Sequence, residues 1–168
     1  SLKKTKRLAG KYEVKDKKAL GSCIPTFHID EPSYSPIDKL QLFDYPISTL
    51  AWIGDAVYEL EIRMALAKQS EAPAGALNQR AIGMVSAKGQ AELLGVLLEE
   101  DDPAQLSTGE RGLLQRARNY HSKSISKGAE QADYRSATAL EALIGAHILA
   151  GNTDRVAELI RCGLQDNA

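Results

Sequence analysis

Past residue 40, apolar side chains recur every three or four positions, the period of an amphipathic helix, and no hairpin signal interrupts them. Leu50, Ile53, Val57 and Leu60 predict a first helix from Leu50 to about Ala67, with these four as its core stripe. Pro73 suits the first turn of a second helix, which Leu77, Ala81 and Met84 continue. Ser86 is placed to cap a third, whose face carries Leu93, Leu94, Leu97 and Leu98 and which Asp101-Asp102-Pro103 closes. Ser107-Thr108-Gly109-Glu110 has the form of a capping box and opens a fourth helix through Leu113, Leu114 and Ala117. A polar loop is expected from Asn119 to Gln131, then a fifth helix from Ser136 to Ala150 ended by Gly151. Asn152 or Thr153 caps a sixth, amphipathic through Val156, Leu159 and Ile160. Residues 1–38 lack this period, and Pro25, Pro32 and Pro36 interrupt any helix there. The pattern therefore predicts an all-α domain of about six helices over residues 39–168, behind a flexible, mostly irregular N-terminal arm of residues 1–38.

Two of the predicted helices carry an acid where a core residue is expected. In LAWIGDAVYELEIR, Leu50 to Arg63, Gly54-Asp55 interrupts the apolar stripe. A glycine costs a helix interior about 1 kcal/mol relative to alanine, and a carboxylate among apolar groups is expensive unless paired or bound to metal. YRSATALEALIGAHILAG, Tyr134 to Gly151, repeats the pattern, with Glu141 among Leu140, Leu143, Ile144 and Ile148. Thr138, Glu141 and Gly145 share one helix face, as do Asp55, Glu59 and Arg63. Small residues let helices approach closely, and two acids facing each other across such a contact repel unless a cation lies between them. A hard divalent cation suits that arrangement: Mg²⁺ takes oxygen ligands, often one or two carboxylates with waters and substrate phosphate. The same spacing is equally that of solvated or salt-bridged acids, and Glu59–Arg63 is itself an ordinary i,i+4 pair.

Composition narrows the class. The 168 residues suffice for one domain with a real core, and 43% are hydrophobic. The two cysteines, Cys23 and Cys162, show no metal-ligand spacing and no disulfide framework, so a reducing compartment is expected. No apolar run approaches the roughly 20 residues of a membrane span, and the Lys-rich start is no secretory signal. The first residue is Ser1, not Met, so an upstream segment is expected to have been cleaved, as an organelle transit peptide is, or to lie outside these 168 residues. Net charge is −1 but uneven: residues 1–20 hold eight basic and two acidic residues, +6, and the remaining 13 basic and 20 acidic residues leave −7. Such an arm suits contact with nucleic acid, a membrane surface or acidic protein, and equally a solvated tail.

LAWIGDAVYELEIR and YRSATALEALIGAHILAG, in that order in an all-α chain, resemble the two signature segments of the ribonuclease III fold. VSAKGQAELL (Val85 to Leu94) and RARN (Arg116 to Asn119), followed by lysines, are similar to the Mini-ribonuclease III branch, the short form without a double-stranded-RNA-binding domain. The resemblance runs from about Leu40 to Ile160. It implies a homodimeric, Mg²⁺-dependent endoribonuclease, with Mn²⁺ as a possible substitute, that cuts double-stranded RNA and leaves short 3′ overhangs. The implied substrate is precursor large-subunit (23S) ribosomal RNA. The implied compartment is the cytoplasm, or a plastid or other organelle if a transit peptide was removed. Asp55 matches the family's catalytic, metal-binding aspartate and Glu141 its catalytic, metal-binding glutamate. Full-length ribonuclease III carries two further acids, where this chain has Ser48 and Thr138. The Mini branch also lacks them, and a tightly held second metal is therefore not expected.

Five cations at or beside these motifs, Lys88, Arg116, Arg118, Lys123 and Lys127, are candidates for phosphate contact; the competing reading is surface solubility. His147 is expected to be a satisfied core histidine, and Trp52 to serve packing rather than base stacking. His28, His121 and the two cysteines receive no role. Two rival functions remain at this level: a non-catalytic, ribosome-associated RNA-binding protein on the same fold, and a helical protein-interaction module. Loss of either acid favours the first, and indifference to Mg²⁺ favours the second.

Overall fold

Two of the helices open where a side chain satisfies their terminal backbone groups, and one closes on a backbone motif. The structure, a computed structural model, describes residues 45–120 and 129–165. Among them every regular element is helical: α1 (Ile47–Gln69), α2 (Ala74–Val85), α3 (Ala87–Leu97), α4 (Thr108–Arg118), α5 (Ala129–Leu149) and α6 (Thr153–Gln165). The Ser86 hydroxyl accepts from Gly89 N at 3.1 Å and opens α3. The capping box of α4 is complete: Glu110 N donates to Ser107 Oγ at 3.2 Å, and Ser107 N donates to Glu110 Oε2 at 2.7 Å. At the far end of α5, Gly151 adopts φ 75, Asn152 N reaches His147 O at 2.8 Å and Gly151 N reaches Ile148 O at 3.0 Å. This is a Schellman motif, which needs a glycine-like left-handed residue at that position.

α5 is the axis of the domain and packs against α1, α3, α4 and α6; α2 lies on α1 and α3. From Ala137 to His147 it is covered on almost every side, with Ala139, Leu140, Ala142, Leu143, Ile144 and Ala146 fully buried. A helix apolar all round is the one others must surround. Tyr58 fastens α1 to α2 from inside. Its hydroxyl donates to Met84 O at 3.1 Å, and burial pushes its pKa up to about 12, so it stays a donor. Glu110, 3% exposed, ties three helices together. It accepts from His147 Nε2 at 2.8 Å and from Arg155 Nε and Nη2 at 2.8 and 3.1 Å, while Arg155 Nη2 also donates to Ala104 O at 2.9 Å. Burial opposes its ionisation, yet the bonds from His147, Arg155 and the Ser107 backbone outweigh that and hold the carboxyl well below the usual glutamate range.

Several boundaries differ from the sequence expectation. α5 starts at Ala129, inside the expected polar loop, because AEQADYR presents no apolar stripe yet continues a helix already stabilised by its buried C-terminal half. α1 extends from Ile47 to Gln69, and Pro73 stands just outside α2 as its N-cap. The stripe of α1 is rotated: Leu50, Ala51, Gly54, Tyr58, Ile62 and Leu66 are buried, Ile53 and Val57 are half-buried, and Leu60 is 41% exposed. His147 is buried and hydrogen-bonded, as its core placement implied. The N-terminal arm, His28, His121, Lys123, Lys127 and Cys23 lie outside the described residues.

Candidate functional site

The rotation of α1 places Gly54 on the helix that it meets. A Cβ built at Gly54 overlaps the carbonyl oxygen of Glu141 and lies 2.9 Å from Gly145 N. A Cβ at Gly145 overlaps the carbonyl oxygen of Leu50 and lies 3.2 Å from Gly54 N. The backbones of α1 and α5 therefore touch at these two glycines, and no other residue fits at either. Asp55 follows Gly54, and Glu141 is the residue whose carbonyl Gly54 meets, so the contact sets the two acids side by side.

Both acids line one cleft of about 440 Å³. α1 contributes Ser48, Ala51, Trp52 and Asp55, one face at i, i+3, i+4 and i+7. α5 contributes Gln131, Tyr134, Arg135, Ala137, Thr138 and Glu141, and the α2–α3 junction contributes Val85, Ala87 and Gln90. Asp55 is exposed, not buried in the core as its place in the sequence pattern suggested. Glu141 is half-buried and carries the burial cost instead. Burial pushes its pKa up to about 7, the negative charge of Asp55 adds to the rise, and the Gln90 amide opposes it. Arg135 is the one cation among the described residues that line the cleft.

Gln90 occupies the buried face of α3 at 2% exposure. Its Nε2 donates to Val85 O at 3.2 Å, and its Oε1 finds no partner among the described residues. The sequence reading passed over it and over Arg135. For Gln90 a signal existed: it stands at i, with Leu93, Leu94 and Leu97 at i+3, i+4 and i+7, as the one polar residue of that stripe. Ser48 and Thr138, the positions at which full-length ribonuclease III carries acids, both line the cleft as neutral hydroxyls.

The residues fit a hard divalent cation. Two adjacent carboxylates, an unpartnered buried acceptor and two hydroxyls supply oxygen ligands or partners for its waters. Among the described residues no group of three or more His, Cys, Asp or Glu converges, so protein ligands beyond these two carboxylates are few. No described helix is long and apolar enough to cross a membrane.

The remaining candidates scatter. Arg118 lies outside this cleft and lines a second one beside it. Lys88 is exposed, 3.9 Å from Glu92, and neighbours Ala87 of the cleft wall. Arg116 is half-buried and lines neither cleft. Trp52 is 77% exposed, so the packing expected of it does not occur among the described residues: the rotation of α1 turns it outward with Asp55.

The ribonuclease III domain pattern matches residues 48–152, which hold both helices of the cleft. The chain belongs to the ribonuclease III family. It is 37% identical over 116 residues to the Mini-ribonuclease 3 of Thermoanaerobacter sp., covering 69% of this chain and 78% of that one. With the Mini-ribonuclease 3 of Streptococcus pneumoniae it shares 35% identity, over 69% of this chain and 88% of the relative. A crystal structure of a Fusobacterium nucleatum protein superposes with a TM-score of 0.61 at 29% identity, covering 74% of this chain and 96% of that one. This ribonuclease III family member thus belongs with the Mini-ribonuclease 3 branch that the sequence resemblance named, and its class of activity is endonucleolytic cleavage of double-stranded RNA.

Proposed function

We propose that Asp55 and Glu141 are the metal-binding, catalytic pair of a Mg²⁺-dependent enzyme, with Mn²⁺ able to substitute, that acts as a homodimer on precursor 23S ribosomal RNA. The observation that supports this most is the glycine contact between α1 and α5, which leaves two carboxylates adjacent in a cleft that has a single cation among the described residues. Asp55 and Glu141 would hold the metal, which would supply charge neutralisation at the phosphodiester and activation of a water. The chain's own residues prepare for it. The Gln90 amide lines the cleft with Glu141 and favours its ionised form, while Gln90 Oε1 has no partner among the described residues. Ser48 and Thr138 offer hydroxyls and add no charge, which keeps the ligand set small.

Lys88, Arg116, Arg118, Lys123 and Lys127 are proposed phosphate contacts, Lys88 and Arg118 from exposed positions beside the clefts. One catalytic pair per chain cuts one strand, so cutting both requires two chains related by a two-fold axis. The exposed indole of Trp52 on the cleft flank is the kind of apolar surface that such an interface covers. The substrate puts the enzyme where ribosomes are assembled, in the cytoplasm or in an organelle with its own ribosomes. The test is to incubate the protein with an RNA duplex, its separated strands and a DNA duplex of the same sequence, with Mg²⁺ or with EDTA. The expected result is cleavage of duplex RNA alone and with Mg²⁺ alone. Binding of the duplex without cutting identifies a non-catalytic RNA-binding protein instead.

A further inference from the structure

Arg135 does not end the cleft; it separates it from another. On its far side a cleft of about 530 Å³ opens between the C-terminal end of α4 and the N-terminal half of α5, and Arg135 lines both. Arg111 and Arg118 line the second cleft with it, and no acid does among the described residues. Arg111 is committed: it bonds Asp102 at 2.7 Å, and its Nε donates to Leu106 O at 3.3 Å. Arg118 and Arg135 have neither an ion pair nor a side-chain hydrogen bond among the described residues. Two uncommitted guanidinium groups in connected clefts stand out in a chain that carries −7 outside its first 20 residues.

The need for such groups follows from the neighbouring acids. Asp55 and Glu141 repel the backbone of any RNA strand that approaches them, so the strand must be held by cations beyond the pair. Arg135 precedes Glu141 by six residues on one helix, about 9 Å along its axis. A phosphate bound there belongs to a neighbouring nucleotide of the strand whose phosphodiester lies at the acids. Arg118 continues the line across the second cleft, where Gln115, Asn119 and Ser136 offer donors and acceptors suited to 2′-hydroxyls.

We propose that Arg135 and Arg118 form a phosphate-binding track, continuous with the Asp55–Glu141 cleft, that positions the backbone of the strand being cut. The proposal rests on the ribonuclease reading and adds to it the path of the strand and a positioning residue, Arg135. The experiment titrates a fluorescently labelled RNA duplex with protein in EDTA over a series of salt concentrations. Variants are Arg135→Gln, Arg118→Gln, the double substitution and Arg135→Lys. Each glutamine variant is expected to weaken binding about 100-fold, the loss of one charge-assisted hydrogen bond in each protomer of the dimer. In the two-fold dimer each substitution removes two cations, so each also lowers the slope of log affinity against log salt by about two, and the double variant by about four. Arg135→Lys retains the slope. A duplex with one uncharged methylphosphonate next to the cleavage site in each strand removes the difference between the unsubstituted protein and Arg135→Gln, a coupling that general loss of structure does not produce. Arg118 is exposed at a helix end, so its variant carries the test if Arg135→Gln misfolds. Unchanged affinity and slope in folded glutamine variants, with the unsubstituted protein still cutting duplex RNA, overturn the track alone. An unsubstituted protein that neither binds nor cuts the duplex overturns the ribonuclease reading beneath it.

Discussion

Two carboxylates one helix contact apart live in unlike surroundings: Asp55 is exposed, and Glu141 is half-buried with its pKa raised to about 7. A third acid, Glu110, shows what full compensation does, since its buried carboxyl is held low by three partners and serves structure alone. Glu110→Ala is expected to cost about 3–5 kcal/mol, because it leaves Arg155 and His147 facing a vacated buried site. The sign with pH follows from the lowered value. The contribution of Glu110 is complete above the ordinary glutamate pKa of 4.5 and is lost as pH falls through the lower folded value. Urea unfolding at pH 7 and pH 3 should therefore show a large gap between the unsubstituted protein and Glu110→Gln at pH 7 and a smaller one at pH 3; an equal gap contradicts this ionisation. At this scale the sequence was legible in part. The capping box and the core histidine were readable because their signals are local. The exposure of Asp55 and Trp52 was not, because it depends on which face of α1 meets α5, and that is decided by Gly54 and Ala51, residues too small to register as an apolar stripe.

At the scale of elements, the crossing of α1 and α5 is the joint on which the cleft depends. Gly54→Ala and Gly145→Ala each place a methyl group into the opposing backbone. Each is expected to cost about 1–3 kcal/mol or more, seen as a lower melting temperature, because backbone must shift where a side chain could have rotated. The folded fraction should also lose activity, since separating the helices moves Asp55 away from Glu141. Gly95→Ala, at an exposed position with open space around it, is the control and should raise stability slightly. If Gly54→Ala melts and cuts like the unsubstituted protein, the close approach is not what forms the site. All six helices were legible from apolar period and caps. The early start of α5 was not, because Ala129 to Arg135 has helical propensity without an apolar face and lies beyond a polar stretch that reads as loop.

At the scale of the whole molecule, charge and symmetry matter more than packing. We propose that residues 1–20, at +6, supply nonspecific attraction for a polyanion to a body that carries −7. Their removal should weaken RNA binding and flatten its salt dependence while leaving the single-turnover rate at saturating enzyme unchanged; an unaltered salt slope removes the arm from RNA binding. Light scattering of the active protein is expected to give twice the mass of one 18.2 kDa chain. A monomer at concentrations where it cuts both strands contradicts the two-fold arrangement. The most direct measurement is cleavage of duplex RNA in Mg²⁺ by Asp55→Asn and Glu141→Gln, with circular dichroism of the same samples. Each substitution preserves size and removes the charge of one metal ligand. The account predicts unchanged helicity and a fall in rate of at least about 100-fold in both; a folded variant of either kind that cuts at near the original rate contradicts it.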